Sequence, residues 1–143
     1  MDVDYLNKYN DRYGHEAGDR VLQAVVNYIK DTIRKTDRMY RYGGEEFLLL
    51  MPETPARGAN TLAQRLLTGI EGLEIRHEDS PIGRVTASMG IATMVGNGPE
   101  EDRDHLISRA DIALYQAKEN GRNLCIISSD SETGNTASSK TAA

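Results

Sequence analysis

Between Glu16 and Arg34, the apolar residues Leu22, Val25, Val26, Ile29 and Ile33 recur at i, i+3, i+4, i+7 and i+11, which is one face of a helix. The same period returns at Leu62, Leu66 and Ile70 and predicts a helix over 54–73, with Thr54 as a candidate cap and Pro55 in its first turn. A third helix is predicted over 102–120, its face built from Leu106, Ala110, Ala113, Leu114 and Ala117, with Gly121 as the terminal cap. Between the first two helices the period changes. Residues 38–51 read as strand, tight turn at Gly43-Gly44, and strand, ended by Pro52. Residues 83–95 and 123–128 are rich in β-branched and apolar positions and read as two more strands. Helix, hairpin, helix, strand, helix, strand implies a mixed sheet covered by helices, in the α+β or α/β class.

Past Ser129 only small and polar residues remain, without apolar periodicity. Such a segment cannot offset its ordering entropy, so 129–143 is expected to be a disordered tail. The 143 residues fit one domain, with 38% hydrophobic and 27% charged positions and no tryptophan. A formal charge of −5 argues against a nucleic acid polymer or an anionic membrane as partner, since both are held by neutralising many phosphates. No window reaches the length of a membrane span. The lone Cys125 excludes an intramolecular disulfide, reads as core packing and suggests a reducing, cytoplasmic setting.

The candidate chemistry lies in short polar blocks. In Arg41-Tyr42-Gly43-Gly44-Glu45-Glu46-Phe47 two glycines permit a primed turn with positive φ and let another molecule approach the backbone. Two carboxylates follow at once, an arrangement suited to a bound cation or to solvent. In Met1-Asp2-Val3-Asp4, an extended chain would point both aspartates to one side, as at a Mg²⁺ site. Lys118 and Arg122, four apart at a helix end, serve either the helix dipole or an anion.

Taken in order, Asp2 to Asp11, Gly14-His15, Gly18-Asp19, Gly43 to Phe47, Ala110-Asp111 with Ala113-Leu114-Tyr115, and Ala117-Lys118 with Gly121-Arg122-Asn123 resemble the successive motifs of the GGDEF domain of diguanylate cyclases. The resemblance covers residues 1 to about 128 and implies a nucleotidyl-cyclase or polymerase-palm-like sheet bearing a Gly-Gly-Glu-Glu-Phe hairpin. It also implies that two GTP molecules are condensed into cyclic di-GMP by a homodimer. Asp2, the Val3 carbonyl, Glu45 and Glu46 match the positions around Mg²⁺ (or Mn²⁺), with Glu45 and Glu46 beside the reacting hydroxyl. Asn10 and Asp19 match the guanine-reading pair, with His15 beside them; Gly43, Gly44, Lys118 and Arg122 match positions around GTP. Arg34 and Asp37 resemble the inhibitory Arg-x-x-Asp site for cyclic di-GMP, to which Arg65 would add a guanidinium.

Two departures qualify the match. Leu6 and Asn7 stand where the family has an aromatic residue and a lysine, with Lys8 one place later, which implies weaker phosphate binding. The resembled domain also carries a helix and most of a strand ahead of Asp2, so the chain is expected to be an N-terminally truncated copy. The rival readings are a catalytically weak module that senses cyclic di-GMP or GTP, and an inactive structural remnant.

Overall fold

The computed structural model describes residues 1–94 and 102–129. In chain order the elements are β1 (Asp2–Val3), α1 (Leu6–Tyr13), α2 (His15–Thr32), β2 (Arg38–Gly43), β3 (Glu46–Leu50), α3 (Ala56–Gly72), β4 (Ala87–Ile91), α4 (Arg103–Glu119) and β5 (Cys125–Ile127). The sheet order is β2-β3-β1-β4-β5. β1 runs antiparallel to both β3 and β4, while β4 and β5 are parallel, joined through α4. This is a mixed sheet in an α+β fold, as expected. Two residues, Asp2 and Val3, therefore occupy its centre.

The predicted helical faces are the buried ones. Leu22, Val25 and Ile29 of α2 and Leu66 and Ile70 of α3 belong to one apolar cluster with Val3, Phe47, Met89 and Cys125. Ala113 and Ala117 of α4 form a separate cluster with Ile126. Because successive strand residues point to opposite faces, Cys125 and Ile126 place the two clusters on opposite sides of the sheet. Close packing of α4 depends on Gly90, where an added Cβ would lie 2.2 Å from the Ala110 carbonyl oxygen and 2.3 Å from the Leu114 amide nitrogen.

The structure corrects several expectations. Residues 1–13 form β1 and α1, neither of which the apolar pattern announced. The hairpin turn falls at Gly44-Glu45, flanked by the Gly43–Glu46 pair, and neither glycine has positive φ. A bulge between Arg41 and Gly43 shifts the register by one, and the Arg41 guanidinium holds the Gly44 carbonyl at 2.6 and 3.0 Å. A primed turn is thus unnecessary, and Glu45 moves to the tip. Thr54 does not cap α3: Pro55 occupies the cap without a side-chain bond, and the Thr54 hydroxyl donates to the Pro52 carbonyl while accepting from Arg34. Of the strand expected over 83–95, residue 95 lies outside the described residues, and among those described Ala87–Ile91 is strand. Just before it, residues 75–85 make a small excursion closed by the Arg76–Arg84 bridge and by Val85 N–H on the Ile75 carbonyl at 2.9 Å. The tail expected over 129–143 lies outside the described residues, apart from Ser129.

Candidate functional site

The opening strand delivers two aspartates to very different surroundings. Asp4 is buried, and its carboxylate accepts from the Thr86 hydroxyl at 2.8 Å, the Ser88 hydroxyl at 2.7 Å and the Asn123 amide at 3.1 Å. Burial pushes its pKa up, opposed by those hydrogen bonds and by Arg122. Both Asp4 oxygens are committed to tying β1 to β4 and to the turn after α4. Thr86, just before β4, and Ser88, within it, stand at alternate positions, a pattern of hydroxyls in an apolar stretch that could have signalled a buried acceptor.

Asp2 is equally buried, yet only one of its oxygens is paired, with the Lys118 ammonium. Its Oδ1 is buried with no hydrogen-bond partner among the described residues. Glu45 faces it from the hairpin tip, and its carboxyl is pushed above the ordinary carboxylate range by burial first and by the charge of Asp2 second, against the pull of Lys118. An orphan oxygen beside a second carboxylate with a raised pKa is a donor set short of positive charge. The residues therefore fit a hard divalent cation, which takes oxygen ligands. Among the described residues no three His, Cys, Asp or Glu side chains converge on one point. Asp2 and Glu45 are the facing pair, and Glu46, opposite Asp2 in register, acts on Glu45 only through its charge.

Asp2, Glu45 and Lys118 line a cleft of about 240 Å³ together with Asp4, Tyr5, Lys8 and Arg122. The end of α4 aims the two cations. After the Asn120 cap, Gly121 takes φ 112°, its amide approaches the Lys118 carbonyl at 3.4 Å, and the Arg122 amide bonds the Ala117 carbonyl at 3.0 Å. This paired closure is the Schellman arrangement, with glycine one place beyond the cap. It throws Arg122 back over the start of α1, its guanidinium 4.6 Å from the Tyr5 ring centroid, while the Lys8 ammonium lies 5.2 Å from the same ring. Tyr5 itself is left-handed, at φ 55° and ψ 31°, a conformation that costs a non-glycine residue about 1–2 kcal/mol. The cleft thus brings the Asp2 and Glu45 carboxylates, with Lys118 paired to Asp2, together with the Arg122 and Lys8 cations, a mixture suited to a metal-bound polyphosphate.

A family model described as "Diguanylate cyclase, GGDEF domain" matches residues 1–124. The chain belongs to the GGDEF domain family. Over 128 residues it is 39% identical to diguanylate cyclase A of Treponema denticola, covering 90% of this chain and 34% of that protein. The active GGEEF domain of a diguanylate cyclase from Vibrio cholerae superposes with a TM-score of 0.74 at 29% identity, over 89% of this chain and 78% of that one. The GGDEF domain of DgcB from Caulobacter crescentus, solved in complex with c-di-GMP, gives 0.74 at 26% identity, over 89% and 74%. The chain spans about a third or less of the length of the curated relatives it matches.

Within this GGDEF domain the other expected site residues are dispersed. A Cβ on Gly44 would meet nothing within 4 Å, and one on Gly43 only Glu46 Oε2 at 3.7 Å, so the tip is open to an approaching molecule. Asn10, on α1, lies against Gly18 of α2, where a Cβ would fall 1.7 Å from its side-chain oxygen; that oxygen is buried and lacks a partner among the described residues. Asp19 is exposed and lines a second cleft of about 430 Å³ between α2 and the hairpin, floored by Leu22, Val26 and Phe47 and rimmed by Arg41. His15 is exposed at the first turn of α2. Neither Asn10, Asp19 nor His15 lines the cleft that holds Asp2.

Arg34 and Asp37 do meet. The guanidinium donates to both Asp37 oxygens, at 2.8 and 3.1 Å, the Arg34 amide donates to one of them at 2.9 Å, and Thr54 takes a further guanidinium bond. Arg34 holds the Asp37 carboxyl below its ordinary range, chiefly through the side-chain hydrogen bond. Half of the Arg34 side chain still faces solvent, at 52%. Arg65 stands exposed on α3, where its carbonyl accepts from Tyr28. Asn7 and Lys8 both line the first cleft, so the lysine displaced by one place still reaches it. Leu6, in the aromatic position, is a core residue.

Proposed function

We propose that this GGDEF domain is the catalytic part of a diguanylate cyclase that condenses two GTP molecules into cyclic di-GMP and two pyrophosphates in the cytoplasm. The observation that carries the reading is the cleft in which the unpaired Asp2 oxygen and Glu45 stand with Lys118, Arg122 and Lys8. In this reading the cations take the triphosphate, Arg122 as a fork and the lysines as point charges. Asn10 and Asp19 read the guanine edge, the one as amide and the other as acceptor from N1 and N2, with His15 beside the sugar or base. Asp2, the Val3 carbonyl and Glu45 hold Mg²⁺ or Mn²⁺, and Glu46 completes the acidic surroundings. A bound divalent ion lowers the cost of deprotonating a 3′-hydroxyl and neutralises charge at the α-phosphate.

The reaction is an exchange of ester for anhydride. The 3′-oxygen of one GTP bonds to the α-phosphorus of the other, the bond to the bridging β-oxygen breaks, and pyrophosphate leaves as the hydroxyl proton departs. The open tip at Gly43 and Gly44 leaves room for the second nucleotide. Glu45 and Glu46 lie beside that hydroxyl in this reading. Ring closure repeats the step in the opposite sense, so each copy supplies one GTP and the active species is a homodimer. Arg34, Asp37 and Arg65 form the inhibitory site, where the exposed guanidinium edges meet guanine N7 and O6 and the phosphates of cyclic di-GMP.

The test is incubation of the full chain with GTP and Mg²⁺, followed by chromatographic separation of nucleotides. Cyclic di-GMP and pyrophosphate are the expected products, and Glu45→Gln should abolish them. One observation favours a second reading, a nucleotide-binding sensor with weak catalysis: no three acidic side chains converge among the described residues. GTP that is bound but recovered intact would select it.

A further inference from the structure

The floor of the cleft bends at Tyr5, in a backbone conformation that has to be held by its surroundings. The Tyr5 carbonyl has two lone pairs, and both are used. The Tyr9 amide donates to it at 3.0 Å, closing the first turn of α1. Nε2 of His77 lies at 3.0 Å from the same oxygen, reaching it from the 75–85 excursion. His77 is wholly buried, with its ring edge-on to Tyr9 at a centroid distance of 5.1 Å and tilted against Tyr13 at 6.4 Å. A carbonyl only accepts, so Nε2 carries the hydrogen. Nδ1 is buried without a partner among the described residues.

The excursion is fastened to α1 just beyond the ring and closed upon itself. Arg12 pairs with Glu78 at 3.0 Å and Asp79 at 2.9 Å, the Glu78 amide donates to the Tyr13 hydroxyl at 3.0 Å, and the His77 amide donates to the Gly83 carbonyl at 2.9 Å. The imidazole is therefore fixed in place before any ligand arrives. Among the described residues it meets the cleft through Tyr5, whose ring carries Arg122 and whose backbone starts the helix that lines the cleft.

We propose that His77 is a positioning residue for triphosphate binding: its Nε2–H on the Tyr5 carbonyl holds the left-handed bend that sets α1 and the Tyr5–Arg122 stack toward the nucleotide. This rests on the GTP reading of the cleft. Simple core packing makes a different prediction. Phenylalanine would fill the same space and keep the edge-on contacts with the tyrosines while donating nothing, whereas glutamine keeps a donor with a poorer fit to the apolar surroundings. A packing role ranks phenylalanine above glutamine; a positioning role reverses them.

The experiment compares the full chain with His77→Phe and His77→Gln. Long-range ¹H–¹⁵N spectra of the imidazole, taken without nucleotide, should show hydrogen on Nε2. Calorimetry with a GTP analogue sulfur-substituted at the α-phosphate, in Mg²⁺, should show His77→Phe weakened roughly five- to tenfold, the scale of one lost hydrogen bond. His77→Gln should stay within about twofold, and it carries the test alone if the phenylalanine variant does not fold. A hydrogen on Nδ1 with none on Nε2, undiminished affinity in His77→Phe, or an equal loss in both variants overturns the role of His77 while leaving the cleft as a GTP site. If the unmodified chain binds no analogue, the GTP reading itself falls, and the role of His77 falls with it.

Discussion

Replacing Asp4 by alanine should cost the fold about 2–4 kcal/mol, and the number can be built from its three partners. The hydroxyls of Thr86 and Ser88, at 2.8 and 2.7 Å, and the Asn123 amide, at 3.1 Å, all point at the carboxylate. Losing a buried acceptor costs about 1–3 kcal/mol per stranded donor. The Asn123 amide keeps a second acceptor in Ser88 Oγ at 3.2 Å, so its loss is partial, and the hydroxyls can turn in search of other acceptors. Relief from burying a charge, visible in the raised pKa of Asp4, offsets part of the rest. Asparagine keeps the shape and one oxygen, and a hydroxyl can reverse to accept from its amide, so Asp4→Asn should cost about 1 kcal/mol or less. Urea unfolding of both variants measures the difference as a shift in midpoint at constant slope. If asparagine proves as damaging as alanine, or alanine costs under about 0.5 kcal/mol, Asp4 is not the tie described here.

Three further outcomes follow from the same geometry. Gly90→Ala should destabilise by about 1–3 kcal/mol and weaken GTP binding, because the clash is with α4 backbone and α4 carries Lys118; thermal melting and calorimetry read the two effects. For Asp37 the folded-state pKa lies below the ordinary 3.8, so its stabilisation is complete above that value and vanishes as pH falls through the folded-state pKa. Urea midpoints of wild type and Asp37→Asn should therefore differ at neutral pH and converge under acid conditions. Cys125, fully buried with its thiol pushed up to about 12, should resist iodoacetamide at neutral pH in the folded chain and react on unfolding.

Long apolar periods were readable because their residues enter the core: Val25, Ile29, Leu66 and Ile70 all end at 0% exposure. α1 was not, since in Leu6–Tyr13 only Leu6 and Tyr9 are buried and the remainder, Tyr13 apart, is polar. Tyr13, one further turn along at i+7 from Leu6, packs against the same core, and that Leu-Tyr-Tyr spacing was the missed signal. β1 escaped because two residues carry no periodicity; only the sheet order reveals that they are central. At the site, alternation correctly put Asp2 and Asp4 on one cleft, but spacing could not say which one keeps a free oxygen. That depends on Thr86, Ser88 and Asn123, more than eighty residues away. The link from His77 to Tyr5 is invisible for the same reason: a hydrogen bond spanning 72 positions has no local trace.

Four residues from Asn120 to Asn123 end a helix, aim a guanidinium, supply the amide that holds Asp4, and lead into β5 two positions later. The segment works as a fixed-length spacer. Adding one residue there would swing Arg122 off Tyr5 and, with alternation reversed, send Cys125 to the alanine side of the sheet and Ile126 to the other. Length drift, which surface loops usually absorb at little expense, has no slack to use at this corner.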